Sequence, residues 1–528
     1  MKQIELDGMN LTIDDLFEVV KGNNEVKLSE ESKKKIITSR KLVEKWISEN
    51  KVIYGITTGC GPMCNRLIPP KKAEEFQKNL IRSHSSGIGD YFSSDIVRAI
   101  MLVRANSLAN GCSAIRLETL ETLIEFINKH IHPCIPEMGS VGASGDLVPL
   151  SHMALALMGE GKVEYEGKIM DTSSLLNSLG LNKVDLSYKE GLALINGTSA
   201  MTGIGALCIY YAERLLKVAE IAAALCIEVL GSISEPFDEE LHLAKPHEGQ
   251  IIAAKNIRSL IKGSGLIKSP ETIQEVLHNE INNSSGVYKS KNEIQDGYSV
   301  RCTPQVLGAV MDTIEFVKKI VETEMNSVSD NPLIFVNVEK AIHGGNFHGQ
   351  HISMAMDYLG IALTEMGTIS ERRLARLLDE KLNKGLPPFL SNNEAGLQNG
   401  FMGIQYVSTS LVAENRVLAS PVSIESITTN ANNQDIVSMG TIAARKAMRI
   451  LKNVEYILAV ELICAAQAAE LVGHEKLGIG TEKAYEIIRK YVKPLNEDRS
   501  FREDIETVAR LIHGNELLDG VEKLVSLW

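Results

Sequence analysis

The sequence predicts a mainly α protein, a long central helical bundle with a smaller N-terminal helical domain. Three observations lead there. Residues 199–232 are almost continuous Ala, Ile, Leu and Gly, and a helix apolar around its whole circumference has to be buried. The segments 303–327, 350–383, 402–418 and 436–473 repeat that character, and several such helices in one acidic chain imply a bundle shared between subunits. Aromatic residues are 5% of a chain that is 44% hydrophobic. The core is therefore built from Leu, Ile, Ala, Val and Met, a mixture that favours helix.

At 528 residues the chain exceeds the size at which one core stops growing, so more than one domain is expected. We place an N-terminal domain at 1–195 and a long-helix, oligomerisation domain at 196–528. Residues 1–50 read as short helices, with a helix-start pattern at Thr12-Ile13-Asp14-Asp15 and an amphipathic stretch from Ser29 to Asn50. Residues 51–70 are rich in Gly, Thr and Pro and long for a simple connection, which suggests a functional loop. Helix returns over 71–132, with apolar spacing through Ile96, Ile100, Leu102 and Leu108. A glycine-rich loop follows, then a helix over about 150–159. Lys162 to Met170 is the one convincing strand signal, a hairpin turning at Glu166-Gly167.

The charge balance excludes several functions. A net charge of −12 and a pI near 5.6 argue against nucleic acid, which needs a basic face. No run of eighteen apolar residues appears, so no transmembrane helix is expected. The N-terminus, Met1-Lys2-Gln3-Ile4-Glu5-Leu6-Asp7, has acidic residues where a signal peptide carries its apolar region. A cytoplasmic protein is expected. The eight cysteines are scattered, and Cys60 and Cys64 are spaced too widely for a CxxC pair.

The chemistry centres on Gly139 to Pro149, where Ala143-Ser144-Gly145 sits with glycines on both sides and Asp146-Leu147-Val148-Pro149 behind. If the backbone bends hard enough, the Gly145 amide nitrogen reaches the Ala143 carbonyl carbon and closes a five-membered ring. Gly145 suits such a bend because it has no Cβ. Loss of water from the ring and from the Ser144 hydroxyl leaves a methylidene on an imidazolone, an electrophile that no unmodified side chain provides. The chain shows no zinc constellation, P-loop or dinucleotide fingerprint. Neither a metal nor pyridoxal phosphate is expected.

Gly142-Ala143-Ser144-Gly145-Asp146-Leu147 with Pro149-Leu150-Ser151-His152 resembles the signature of the aromatic amino acid ammonia-lyase and 2,3-aminomutase family. The resemblance continues in Tyr54-Gly55-Ile56-Thr57-Thr58-Gly59, Asn196-Gly197-Thr198, Tyr298-Ser299-Val300-Arg301-Cys302, Asp330-Asn331-Pro332, Gly345-Asn346-Phe347-His348-Gly349 and Asn433-Gln434-Asp435. It implies a methylidene-imidazolone (MIO) cofactor formed autocatalytically from Ala143, Ser144 and Gly145. It implies a homotetramer whose active sites combine residues from three chains. It also implies roles: Tyr54 as the base that removes the β-proton, Tyr298 as an assisting tyrosine, and Arg301 as the guanidinium that holds the substrate carboxylate. Asn196 would donate a hydrogen bond to the cofactor oxygen or the substrate, and Asn346 and Phe347 would line the pocket. A tyrosine near its ordinary pKa of about 10 is a poor base, so the site is expected to lower that of Tyr54.

Ser83 and His84 match the family position that meets the far end of the amino acid, where a histidine suits a phenol or an imidazole. Family members acting on histidine usually carry a glutamate where this chain has Gln434, beside Asn433. Several blocks, among them Asn79 to Ser85 and Leu411 to Arg416, look most like bacterial tyrosine 2,3-aminomutases. The expectation is a tyrosine aminomutase or ammonia-lyase. A histidine ammonia-lyase is the alternative, and a non-catalytic helical scaffold the alternative of another class.

Overall fold

The structure, a computed structural model, describes residues 2–282, 286–287, 289–290, 293–391 and 394–528. It is mainly α. The long helices fall where the apolar runs place them, at Ser199–Val229, Thr303–Met325, Gln350–Leu378, Met402–Leu418 and Gly440–Val472. The first of these is buried on every side, with Ala200, Met201, Ile204, Ala222, Ala223 and Ala224 fully enclosed.

Two compact units make up the chain. One comprises 1–210, 317–358 and 421–448, the other 211–316, 359–420 and 449–528. They interleave along the sequence rather than following a division at 195/196, because four of the five boundaries fall inside long helices.

The first unit begins with a feature that the reading of 1–50 as short helices lacks. Strands Lys2–Leu6 and Asn24–Leu28 pair in parallel, with helix Ile13–Val20 crossing between them. Ile4, Leu6, Val26 and Leu28 alternate into the core. The helix starts where expected: the Thr12 hydroxyl accepts from the Asp15 N–H at 3.1 Å. Ser29 opens helix Glu30–Ser48 in the same way, accepting from the Ser32 N–H. The expected hairpin forms from Lys162–Tyr165 and Lys168–Asp171. Glu166 and Gly167 both take positive φ, +49° and +73°, as a two-residue hairpin turn requires.

One apolar cluster bears directly on function. Leu42, Val43 and Trp46 of helix Glu30–Ser48 pack with Ile53, Ile56, Ala114 and Ile334. Ile53 and Ile56 flank Tyr54, so burying them pins the loop on both sides of that tyrosine. The loop is closed further by Ile68 N–H donating to Thr57 O and Gly59 N–H to Arg66 O, each at 2.9 Å.

In the second unit, Arg373 and Glu461 form a fully buried ion pair, with Nε donating to Oε1 at 2.6 Å and Nη2 to Oε2 at 3.0 Å. It fastens helix Gln350–Leu378 to helix Gly440–Val472. Among the described residues, no helix is long and apolar enough to cross a membrane.

Acid should loosen the first unit at His132. Burial, with the Arg98 guanidinium beside it, pushes its pKa down to about 4, and among the described residues neither ring nitrogen has a hydrogen-bond partner. The folded state therefore holds a neutral ring. Its contribution is complete above the unfolded value of about 6.5 and is lost as pH falls from there towards about 4. Glu220 and Glu228, pushed up to about 8 and about 7 by burial, act oppositely: their contribution is present below about 4.5 and lost as pH rises through those values. The His132 effect is thus read as a difference. His132→Gln should lose less melting temperature than the wild type between pH 7 and pH 5, and equal losses would refute the assignment.

Candidate active site

The Ala143-Ser144-Gly145 loop is bent by packing. Ser144 has φ +54° and Gly145 φ +73°. A Cβ on Gly145 would lie 2.1 Å from the Gly197 carbonyl oxygen, and one on Gly142 would lie 2.1 Å from Ser438 Oγ. Neither position admits another residue. Beneath the loop, the Asp146 carboxylate is fully enclosed. It accepts from Ser140 Oγ at 2.9 Å, from the Met201 N–H at 2.8 Å and from Thr441 Oγ1. The Asp146 N–H donates to Gly197 O and the Gly197 N–H to Ser144 O, so the loop and the Asn196-Gly197 turn hold each other. Among the described residues, neither the Gly145 N–H nor the Ala143 carbonyl makes a hydrogen bond.

Ser144 faces a cavity of about 600 Å³ whose described walls all belong to the first unit. Ala143, Tyr54, Ser83, His84, Asn196, Phe347, Asn433 and Gln434 also line it. Tyr54 Oη accepts from the Gly61 N–H at 2.9 Å, and its ring meets that of His343 edge-on at 6.0 Å. Burial pushes the phenol above its ordinary value, and the neighbouring Cys60 adds to the rise. Only the Gly61 N–H works downward. This is opposite to the lowering expected of a base. The physical reason is that no lysine or arginine is among the described residues lining the cavity.

Gln434 is held by its own loop, Oε1 accepting from Thr429 Oγ1 at 3.1 Å, while Nε2 donates to Ser144 Oγ at 3.2 Å. His84 ends helix Ala73–His84. Its Nδ1 lies 2.9 Å from the Leu80 carbonyl oxygen, which can only accept, so Nδ1 carries a proton and Nε2 is the acceptor whenever the ring is neutral. Asn196 spends its amide hydrogens on Asp330 Oδ1 at 3.0 Å and Asn331 O at 3.2 Å.

Three expected residues lie elsewhere. Asn346 does not line the cavity, and its amide nitrogen is 3.5 Å from Val328 O. Tyr298 and Arg301 belong to the second unit. Tyr298 is 73% exposed and lines a separate, open cavity with Arg372 and Arg376. Arg301 is partly buried, as its apolar neighbours suggest. It donates to Gln295 Oε1 at 2.7 Å and stacks on the Tyr298 ring at 4.7 Å.

Sequence reasoning missed the apolar wall. Phe76 and Leu80 line the cavity from one helix at i and i+4, in register with the expected Ser83 at i+7, the spacing of a single helical face. That periodicity was available to find them. Met63 and Leu192 also line it and carry no local signal.

A cyclisable tripeptide, a half-buried phenol and an apolar wall ending in a histidine fit an enzyme that breaks a carbon–nitrogen bond in an aromatic amino acid. The profile of the family described as aromatic amino acid lyase matches residues 11–490. A histidine ammonia-lyase of Alkaliphilus oremlandii is 47% identical over 527 residues, covering 100% of both chains. One of Caldanaerobacter subterraneus subsp. tengcongensis is 46% identical over 517 residues, 98% of each chain. The crystal structure of tyrosine aminomutase from Streptomyces globisporus superposes with a TM-score of 0.97 at 42% identity, covering 100% of this chain and 99% of that one. The chain belongs to the aromatic amino acid lyases. It is an enzyme, and the scaffold alternative falls.

Proposed function

We propose that the protein eliminates ammonia from an aromatic L-amino acid, with histidine as the substrate, using an MIO group closed from Ala143-Ser144-Gly145. The observation that carries the elimination is that Ser144, Tyr54 and Asn196 line one cavity. The fit of the group is supported by a bend that leaves the Gly145 N–H and the Ala143 carbonyl unengaged and excludes any Cβ at 145. Once formed, the group supplies the electrophile that the amine needs. The chain's own side chains do the rest. The Tyr54 oxygen takes the β-proton as the phenolate and becomes neutral in doing so, and the Gly61 N–H stabilises the negative charge it carries before the transfer. His84 Nε2 accepts a hydrogen bond from the far end of the substrate.

What supports histidine is the pair of curated relatives at 46% and 47% identity, both named histidine ammonia-lyase. Tyrosine is the second reading, and two observations favour it. Gln434 is neutral where a carboxylate would pair with an imidazole, and the tyrosine aminomutase shares the fold at a TM-score of 0.97. Proton NMR of the protein with L-histidine and, separately, L-tyrosine decides between them. Urocanate from histidine establishes the first reading. A β-amino acid or 4-hydroxycinnamate from tyrosine, with histidine untouched, establishes the second, and the order of the two products separates mutase from lyase. No product from either refutes both. Gln434→Glu should raise kcat/KM for histidine about tenfold, one charge-assisted hydrogen bond to the imidazole N–H. An unchanged value would show that position 434 does not discriminate.

We also propose that the site is completed in a homotetramer. Support comes from the cavity, whose described walls hold no cation for the substrate carboxylate, and from Tyr298, exposed with Arg301 stacked upon it. The eight cysteines are all free, which supports a reducing, cytoplasmic setting.

A further inference from the structure

A buried charge network, Lys189 with Asp330, lies behind the cavity wall and meets the site at Asn196. Lys189 and Asp330 have no exposed side-chain surface and form an ion pair, Nζ to Oδ2 at 2.7 Å. The other oxygen, Oδ1, accepts from Asn196 Nδ2 at 3.0 Å and from the Asn331 N–H at 2.6 Å. Arg104, also fully buried, donates to Ala193 O in the same helix turn. Lys189 itself has φ +69°, a conformation that non-glycine residues adopt at a cost and keep only where surroundings hold it.

This network decides which way the Asn196 amide faces. A carboxylate and a backbone carbonyl can only accept, so the two atoms at 3.0 and 3.2 Å take both amide hydrogens. The amide cannot be turned over without setting oxygen against oxygen at both contacts. Its carbonyl oxygen, Oδ1, has no partner among the described residues, while the residue itself lines the cavity. An acceptor in that place cannot serve a carboxylate or a carbonyl oxygen, which carry no proton to share. It can serve an N–H.

We propose that Lys189 and Asp330 are positioning residues that lock the Asn196 amide with its carbonyl towards the cavity, where it accepts a hydrogen bond from the substrate's amino group. The inference rests on the amine-elimination reading above. It reverses the direction expected from the sequence, in which Asn196 donates. Breaking the lock at Lys189 leaves Asp330 buried without its counter-charge, and the Asn196 amide loses the fixed acceptor that orients it. Burial lowers the Lys189 pKa and Asp330 raises it, so the lysine depends on its partner for its proton.

The test separates amine recognition from general damage. For the wild type, Lys189→Met, Lys189→Arg and Asn196→Ala, we would measure kcat and KM for the amino acid turned over and Ki for its acrylate product, which has no amine. The melting temperature would be recorded for each. Lys189→Met and Asn196→Ala should raise KM about tenfold or more, the loss of one hydrogen bond to a charged group, with the acrylate Ki within about twofold. Lys189→Arg, which keeps the charge, should recover most of the loss. The double variant Lys189→Met/Asn196→Ala should be no worse than Asn196→Ala alone, because both act through one amide. Equal losses for amino acid and acrylate, or an additive double variant, would overturn the proposal. If Lys189→Met does not fold, Asn196→Ala still tests the acceptor, and an unchanged KM there overturns it. A wild type that turns over neither histidine nor tyrosine would instead overturn the parent reading, a result distinct from active enzyme with insensitive variants.

Discussion

Ser144→Ala should lower kcat at least about a thousandfold, roughly 4 kcal/mol of barrier, while leaving the fold in place. The argument rests on how little else the hydroxyl does. Among the described residues its one hydrogen bond is from Gln434 Nε2 at 3.2 Å, and Gln434 stays anchored to Thr429 without it. Alanine provides the same backbone for the bend but no oxygen to leave, so no methylidene can form and the amine has no electrophile. Two measurements check this: turnover of histidine and tyrosine, and the near-ultraviolet absorption of a conjugated ring, which the variant should lack. The melting temperature should move by no more than about 2 °C, since no buried group loses a partner it needs. Retained turnover would remove Ser144 from the chemistry.

Tyr54→Phe should lower kcat by about 10² to 10⁴, the usual range for a general base, with KM changed little. The pH profile carries more information than the rate. Burial raises the phenol in the isolated chain, and a base acts only when deprotonated, so the rising limb of kcat should lie above the ordinary phenol value of about 10. A rising limb well below that value would report a cation brought to the cavity by a neighbouring copy. In Tyr54→Phe the limb should vanish. If it persists at the same pH, another group is the base.

Much of the fold was legible because its signals are local. Helix Ser199–Val229 is apolar all round, and Lys162 to Asp171 carries its own turn. The parallel pair Lys2–Leu6 and Asn24–Leu28 was not, because its partners are separated by a helix and no turn residue announces them. The interleaving of the two units was hidden for a similar reason: a continuous helix does not show where along it the neighbours change. In the site, the motifs brought Tyr54, Ser144, Asn196, Phe347 and Gln434 to one cavity. They did not show that Asn346 lies outside it or that the Asn196 donors are taken. The direction of a hydrogen bond depends on partners such as Asp330, 134 residues away, and no spacing in the chain encodes it.

The absence of a lysine or arginine from the described cavity walls has a consequence for the living cell. Free amino acids are abundant and their deamination cannot be undone cheaply, so an enzyme of this kind is hazardous if it works before it is finished. The described walls of a lone chain's cavity offer a phenol, amides and an imidazole, with no lysine or arginine to grip a carboxylate. On the shared-site reading, a newly made subunit ignores the metabolite pool, and assembly itself is the switch that arms it. Concentration of subunits, rather than a separate inhibitor, then sets when consumption begins.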